Sequence, residues 1–207
     1  MLRKTIYFLF ILLLTSCSSR FTSAYRSLSP PEKSWVFFHP FKAKKAYQIS
    51  EEAQKVKDSI GRYSEVGLDN NGGSLDAFKH TYWMARLTQG IGRRAALSLG
   101  KAHEKGNYQT YLKGRKEDGV LPDKESTDMD LHNNAVGIEI GSILRKSTKN
   151  DVIIVVKDAL DAGKLRILLK DAEGYFLDCK QKRIPLDSLK GKWNTSKCLV
   201  PSNSVIP

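Results

Sequence analysis

The chain has 207 residues, a formal net charge of +12, 41% hydrophobic residues and three cysteines. This length suits one domain with a sizeable core, and no internal repeat is visible. The basic excess could serve nucleic-acid binding, but no groove-reading or aromatic-interleaved motif accompanies it, so nucleic acid is not expected as a partner.

The chain opens with a short basic segment, "MLRK", and an apolar run, "TIYFLFILLL". That run is shorter than the roughly 20 residues a spanning helix needs, so residues 1–16 read as a cleaved signal. Leu14-Thr-Ser-Cys17 closes it and resembles the lipobox of bacterial lipoproteins, in which the cysteine is acylated and becomes the first mature residue. The resemblance implies lipidation of Cys17 and anchoring by its acyl chains, each buried methylene adding about 0.8 kcal/mol. Ser18 after the cysteine resembles the default for outer-membrane sorting. A Ser-rich lipidated tether is expected over 17–34 and one domain over 35–207.

The first helix is expected over 50–60, with Ser50 as N-cap and two acids in its first turn. "LDNNGGSL" reads as a loop. Ser74 can cap a helix running to about Gln89, Gly90 and Gly92 mark a joint, and a further helix covers about 92–105 before Gly106-Asn107 stops it. Residues 107–127 read as a long polar loop. Helices follow over about 128–146, with Asp128 as a candidate cap, and 150–162, ending at Gly163. "KLRILLKDAEGYFLDC" alternates apolar residues about a turn at Asp171–Gly174, which predicts a small β-hairpin. The expected fold is mainly α: a compact multi-helix domain with a small C-terminal β-hairpin. With Cys17 lipidated, Cys179 and Cys198 remain as a disulfide pair, closing a loop of about 20 residues for roughly 3 kcal/mol.

Polar residues recur on faces that the apolar pattern would bury. Asp76, His80, Trp83 and Leu87 share one stripe; Ala96, Leu99 and His103 share another, with Glu104 beside it. Asp130, Asn134, Gly137, Gly141 and Leu144 share a third. Two glycines on successive helical turns cost about 1 kcal/mol each against alanine, a cost that suits close approach by another helix. Such approach would carry Asp130, Asn133 and Asn134 towards His80 and His103. Phe78, Tyr82 and Trp83 read as core, and His39 and His132 as surface or loop residues.

"DAFKHTYWMARL", the "AHE" of 102–104 and "MDLHNNAVG" of 129–137 resemble the three signature blocks of an uncharacterised family of secreted bacterial domains. The family pattern is approximately Asp-x-Phe-Arg-His-x-Tyr-Trp-Asn, then His-Glu, then Met-Asp-x-x-Asn-Asn-x-x-Gly. Related domains occur alone or at the ends of wall-associated and toxin-like proteins. The similarity covers about residues 68–170 and departs at Lys79 for Arg and at Met84 for Asn. It implies a fold and a grouping, not a reaction.

Two chemistries fit these residues. His80, His103 and Asp130 or Glu104 could hold one divalent metal ion, with Asp76 orienting an imidazole, Asn133 and Asn134 supporting, and bound water activated for hydrolysis. Without metal, His80 could act as a general base oriented by Asp76. "HEKGN" is not a zincin motif, since a second histidine would be needed where Asn107 stands. "GIGRRA" at 90–95 matches a dinucleotide fingerprint but follows a helix instead of a strand. The reading is a cell-envelope lipoprotein with a His80, His103, Glu104 and Asp130 cluster capable of hydrolysis. The competing reading is a non-catalytic lipoprotein with a structural cluster. Its basic face, nine Lys/Arg against Glu104 alone over 79–116, would meet anionic headgroups, an envelope polymer or a protein partner. An open cleft reaching the cluster favours chemistry; a sealed one favours scaffolding.

Overall fold

The computed structural model describes residues 21–63, 71–116 and 120–204. The expected signal and Cys17 lie outside them. Six helices carry the fold: α1 (Pro30–Phe38), α2 (Pro40–Tyr63), α3 (Ser74–Ile91), α4 (Arg93–Leu112), α5 (Lys124–Ile143) and α6 (Lys149–Asp161). A helical stretch over 21–27, a short α7 (Leu186–Leu189) and an antiparallel pair, β1 (Arg166–Leu168) with β2 (Leu199–Pro201), accompany them among the described residues. None of the described helices is long and apolar enough to cross a membrane.

α3 is the central element, packed by α2, α4, α5 and α6. Its burial extends around most of its circumference, from Phe78 and Tyr82 to Met84, Ala85 and Leu87. α3 and α5 meet where α5 lacks side chains. A Cβ on Gly137 would overlap the carbonyl oxygen of Thr81 and lie 2.9 Å from Met84 Cβ; one on Gly141 would overlap the carbonyl oxygen of Ala85. The two glycines therefore let the helix backbones touch, as their spacing predicts.

Several element boundaries differ from the sequence reading. The stretch expected as tether is helical over 21–27, and α1 begins within it. Pro30 and Pro31 open α1 behind Ser29, whose side chain forms a capping box with Glu32. Ser50 is not a cap: α2 starts at Pro40, and the Ser50 hydroxyl donates back to the carbonyl of Ala46. Gly73 stands at the N-cap of α3 without a side-chain cap, and Ser74 is its first helical residue. Gly106 does not stop α4. It is buried against Ser29, and the helix runs on to Leu112 because a small residue there admits α1. Asp123, not Asp128, caps α5 by accepting from the amide of Ser126 at 2.8 Å. The expected 107–127 loop is thus helical at both ends.

At the C-terminus, the turn at Asp171–Gly174 forms: Gly174 takes φ +84°, and Asp171 accepts from the amides of Glu173 and Tyr175. The strand proper of this hairpin, however, pairs with 199–201. Cys179 and Cys198 are joined in a disulfide. Buried Lys197 pairs with the capping Asp123, tying this lobe to the start of α5.

Candidate functional site

Three helices bring polar side chains to one place. His80 projects from α3, Glu104 from α4 and Asp130 from α5, with residue exposures of 4%, 4% and 7%. One ligand-type atom from each lies within 4.8 Å of the others. His80 Nε2 stands 3.5 Å from Asp130 Oδ1. That is long for a hydrogen bond, yet it is roughly the edge of a tetrahedron around an ion bound at about 2.0–2.1 Å. Glu104 is held at both oxygens, accepting from Asn107 at 3.2 Å and from Asn134 at 3.4 Å.

Two members of the cluster, His80 and Asp130, are reached from outside, and Glu104 lies behind them. A cleft of about 310 Å³ is lined by Asp76, Lys79, His80, His103 and Asp130 among others, with Lys57 and the 120–122 segment also on its wall. Burial of the His80 ring is the main reason its protonation is pushed well below the ordinary imidazole range. Repulsion from Lys79, His103 and Lys57 adds to this, and Asn134 offsets part of it. His80 Nδ1 and Asn134 Oδ1 are both buried without completing a hydrogen bond.

The remaining expected residues divide between site and scaffold. His103 lines the cleft, its ring centre 6.1 Å from that of His80 and 5.4 Å from that of Trp83. It is not in the three-residue ligand group, where Glu104 stands in its place; His103 Nδ1 instead meets Glu32 Oε1 at 3.0 Å. Burial opposes ionisation of Glu32, but hydrogen bonds from His103 and Ser29 overcome it and hold the carboxyl below its ordinary range. Asp76 does not orient His80 by a hydrogen bond. It lies 3.8 Å from Nε2, accepts from the amide of Gly72 and pairs with Lys79. Asn133 belongs to the fold, exchanging two hydrogen bonds with the backbone of Arg166 and so pinning β1 to α5.

Glu32 and Asn107 were not recognisable as site residues. Glu32 reads locally as half of a capping box, and only the packing of α1 on α4 gives it a second partner. Of the other expectations, His39 stacks on Trp35, and His132 meets the carbonyl of Lys164 at 3.0 Å. Met84 is wholly buried and fills the space between Gly100 and Gly137.

Residues 33–164 match a family described as a domain of unknown function (DUF6973). The chain belongs to this family. The match begins well before the signature blocks and takes in most of α1 and all of α2. No curated protein and no solved structure matches.

The buried ring makes stability of this DUF6973 domain depend on pH. The unfolded chain protonates a histidine near about pH 6.5, whereas the folded metal-free domain resists doing so. This contribution is therefore fully present above about pH 6.5. It is lost as pH falls from there towards the lowered folded value, at no more than about 1.4 kcal/mol per pH unit. Glu32 acts in the same sense, but only below its ordinary carboxylate range. With chelator present, the Tm is expected to drop between pH 7 and 5, and His80→Asn to flatten that drop. An unaltered slope in the variant would refute the assignment to His80, whose facing charges are Asp76, Asp130, Glu104, Lys79, Lys57 and His103.

Proposed function

We propose that the protein is a cell-envelope lipoprotein whose cleft is a hydrolytic site built on one divalent metal ion held by His80, Glu104 and Asp130. The observation that carries this reading is the convergence of these three buried ligand types, two of which, His80 and Asp130, line an open cleft. A network serving packing alone has no need of access to solvent. Imidazole with two carboxylates suits zinc or a harder ion such as manganese. The depressed protonation of His80 keeps the ring in the neutral form that ligation requires. A modest shift bringing Asn134 Oδ1 onto Nδ1–H would fix the tautomer and present Nε2 to the ion.

A bound divalent ion supplies Lewis acidity and an activated water at neutral pH. His103, steadied by the Glu32 carboxylate, is the group placed to move a proton at the cleft wall. Lys57 and Lys79 line the cleft together with Asp76 and Asp130, so a polar substrate is expected, its charge set by the bound ion. The envelope location is supported by the signal-like start, the Leu-Thr-Ser-Cys17 sequence and a disulfide of the kind that persists in oxidising compartments.

The test is metal stoichiometry. Purified full-length protein titrated with Zn²⁺ and Mn²⁺ is expected to bind one ion per chain, and His80→Ala to abolish this while His132→Ala does not. Equal binding by both variants, or none by the parent, would remove the metal-site reading.

A further inference from the structure

The corner between α1 and α2 shows three phenylalanines to solvent: Phe37 is 76%, Phe38 72% and Phe41 99% exposed. Isolated exposed apolar residues are ordinary, but three aromatics at one turn are a patch that needs a partner. Its surroundings are cationic. Between Glu32 and Glu51 there is no acidic residue, while Lys42, Lys44 and Lys45 are all exposed. α1 runs antiparallel to α4, since Glu32 meets His103 and Trp35 Nε1 donates to Ser98. The corner therefore lies beside the start of α4, where exposed Arg94 adds to the charge.

From this we infer that the Phe37–Phe38–Phe41 corner is a membrane-docking surface for an anionic bilayer, its rings entering the headgroup boundary and its lysines meeting lipid phosphates. Aromatic side chains with adjoining Lys/Arg are the residue types that settle at such an interface. A second feature points the same way. Phe21 packs edge-on against Tyr47 of α2, at 6.0 Å between ring centres, and Tyr47 is only about 9 Å along the helix from Phe41. Cys17 is four residues before Phe21, so acyl chains there would be tethered within about 14 Å of it. Lys42 reaches the carbonyl of Ile91, the last residue of α3, roughly 16 Å along that helix from His80. A domain seated on this corner holds its cleft away from the lipid surface.

The test places a reporter at the corner of the full-length chain. Phe41→Trp is mixed with phosphatidylcholine vesicles, with or without phosphatidylglycerol, carrying brominated acyl chains. Leu186→Trp, at a distant exposed position, is the control. The expected result is a blue shift and loss of most of the added emission at position 41 with anionic vesicles only, and none at 186. Adding Lys44→Glu and Lys45→Glu should raise the lipid concentration for half-maximal quenching roughly thirtyfold or more. Emission at 41 that is unquenched by either vesicle would overturn the proposal. So would emission already blue-shifted without lipid (cover by another part of the chain) or shifting with protein concentration (cover by a second copy). This readout concerns the corner alone, so its failure is distinct from failure of Cys17 acylation, which the mass of the mature N-terminus reports, and from failure of metal binding.

Discussion

Glu104→Gln is expected to lower metal affinity about 100-fold or more while leaving the metal-free protein as stable as the parent or more so. Replacing residues that merely support a ligand already weakens metal binding about 10–100-fold, and Glu104 is placed to be a ligand itself. The stability half follows from charge. Glu104 and Asp130 are buried within 4.8 Å of each other, and two carboxylates so placed repel when no cation lies between them. Glutamine keeps the volume and removes one charge; its oxygen can accept from Asn134, and its NH2 can donate to Asn107 once that amide turns its oxygen round. A purely structural cluster predicts otherwise: no metal binding to lose, and a small stability change of either sign. Competition against a chromogenic chelator, beside thermal denaturation in EDTA, separates the two. Unchanged metal affinity in the variant would exclude Glu104 from the ligand set.

Gly137→Ala should rank with Gly141→Ala as the most damaging small substitution on α5. In an unconstrained helix the change would gain about 1 kcal/mol. Here the new methyl overlaps the carbonyl oxygen of Thr81, a backbone atom that cannot rotate away, and lies 2.9 Å from Met84 Cβ. Overpacking costs typically about 1–3 kcal/mol, and a clash with a backbone atom belongs at the upper end; set against the propensity gain, a net loss of about 2 kcal/mol is expected in urea denaturation. Metal affinity should fall with it, because Asp130 and Asn134 ride on the same helix that would be pushed outward. Gly100→Ala is the internal contrast. Its methyl would meet the Met84 Cε at 3.1 Å, the far end of a flexible side chain that can move aside. If Gly137→Ala proved as mild as Gly100→Ala, the close α3–α5 contact would not limit stability.

The candidate site was legible in part. Helical spacing put Asp76 and His80 on one stripe and Asp130 with Asn134 on another, and the glycine pair on α5 announced a close neighbour. The roles within the cluster were not legible, because neighbours on a stripe diverge once partners are specified. Asp76 turns to the Gly72 amide and Lys79, Asn133 to the Arg166 backbone, and His103 to Glu32. None of those partners lies within reach of a periodicity argument, except the i+3 lysine. Gly106 misled for a related reason: a glycine that stops a helix and one that admits a neighbouring helix look the same along the chain.

From the amino-acid order alone follow the mainly helical class and the polar stripes, both properties of local propensity and period, and the pairing of Cys179 with Cys198, which follows from the cysteine count once Cys17 is set aside. Which carboxylate meets His80, that a cleft opens onto it, and that Phe37, Phe38 and Phe41 are left bare are decided by packing. They depend on crossing positions of helices distant in sequence, and a one-turn slide of α4 along α3 would put Asn107 or Leu99 where His103 stands without altering any helix's own pattern.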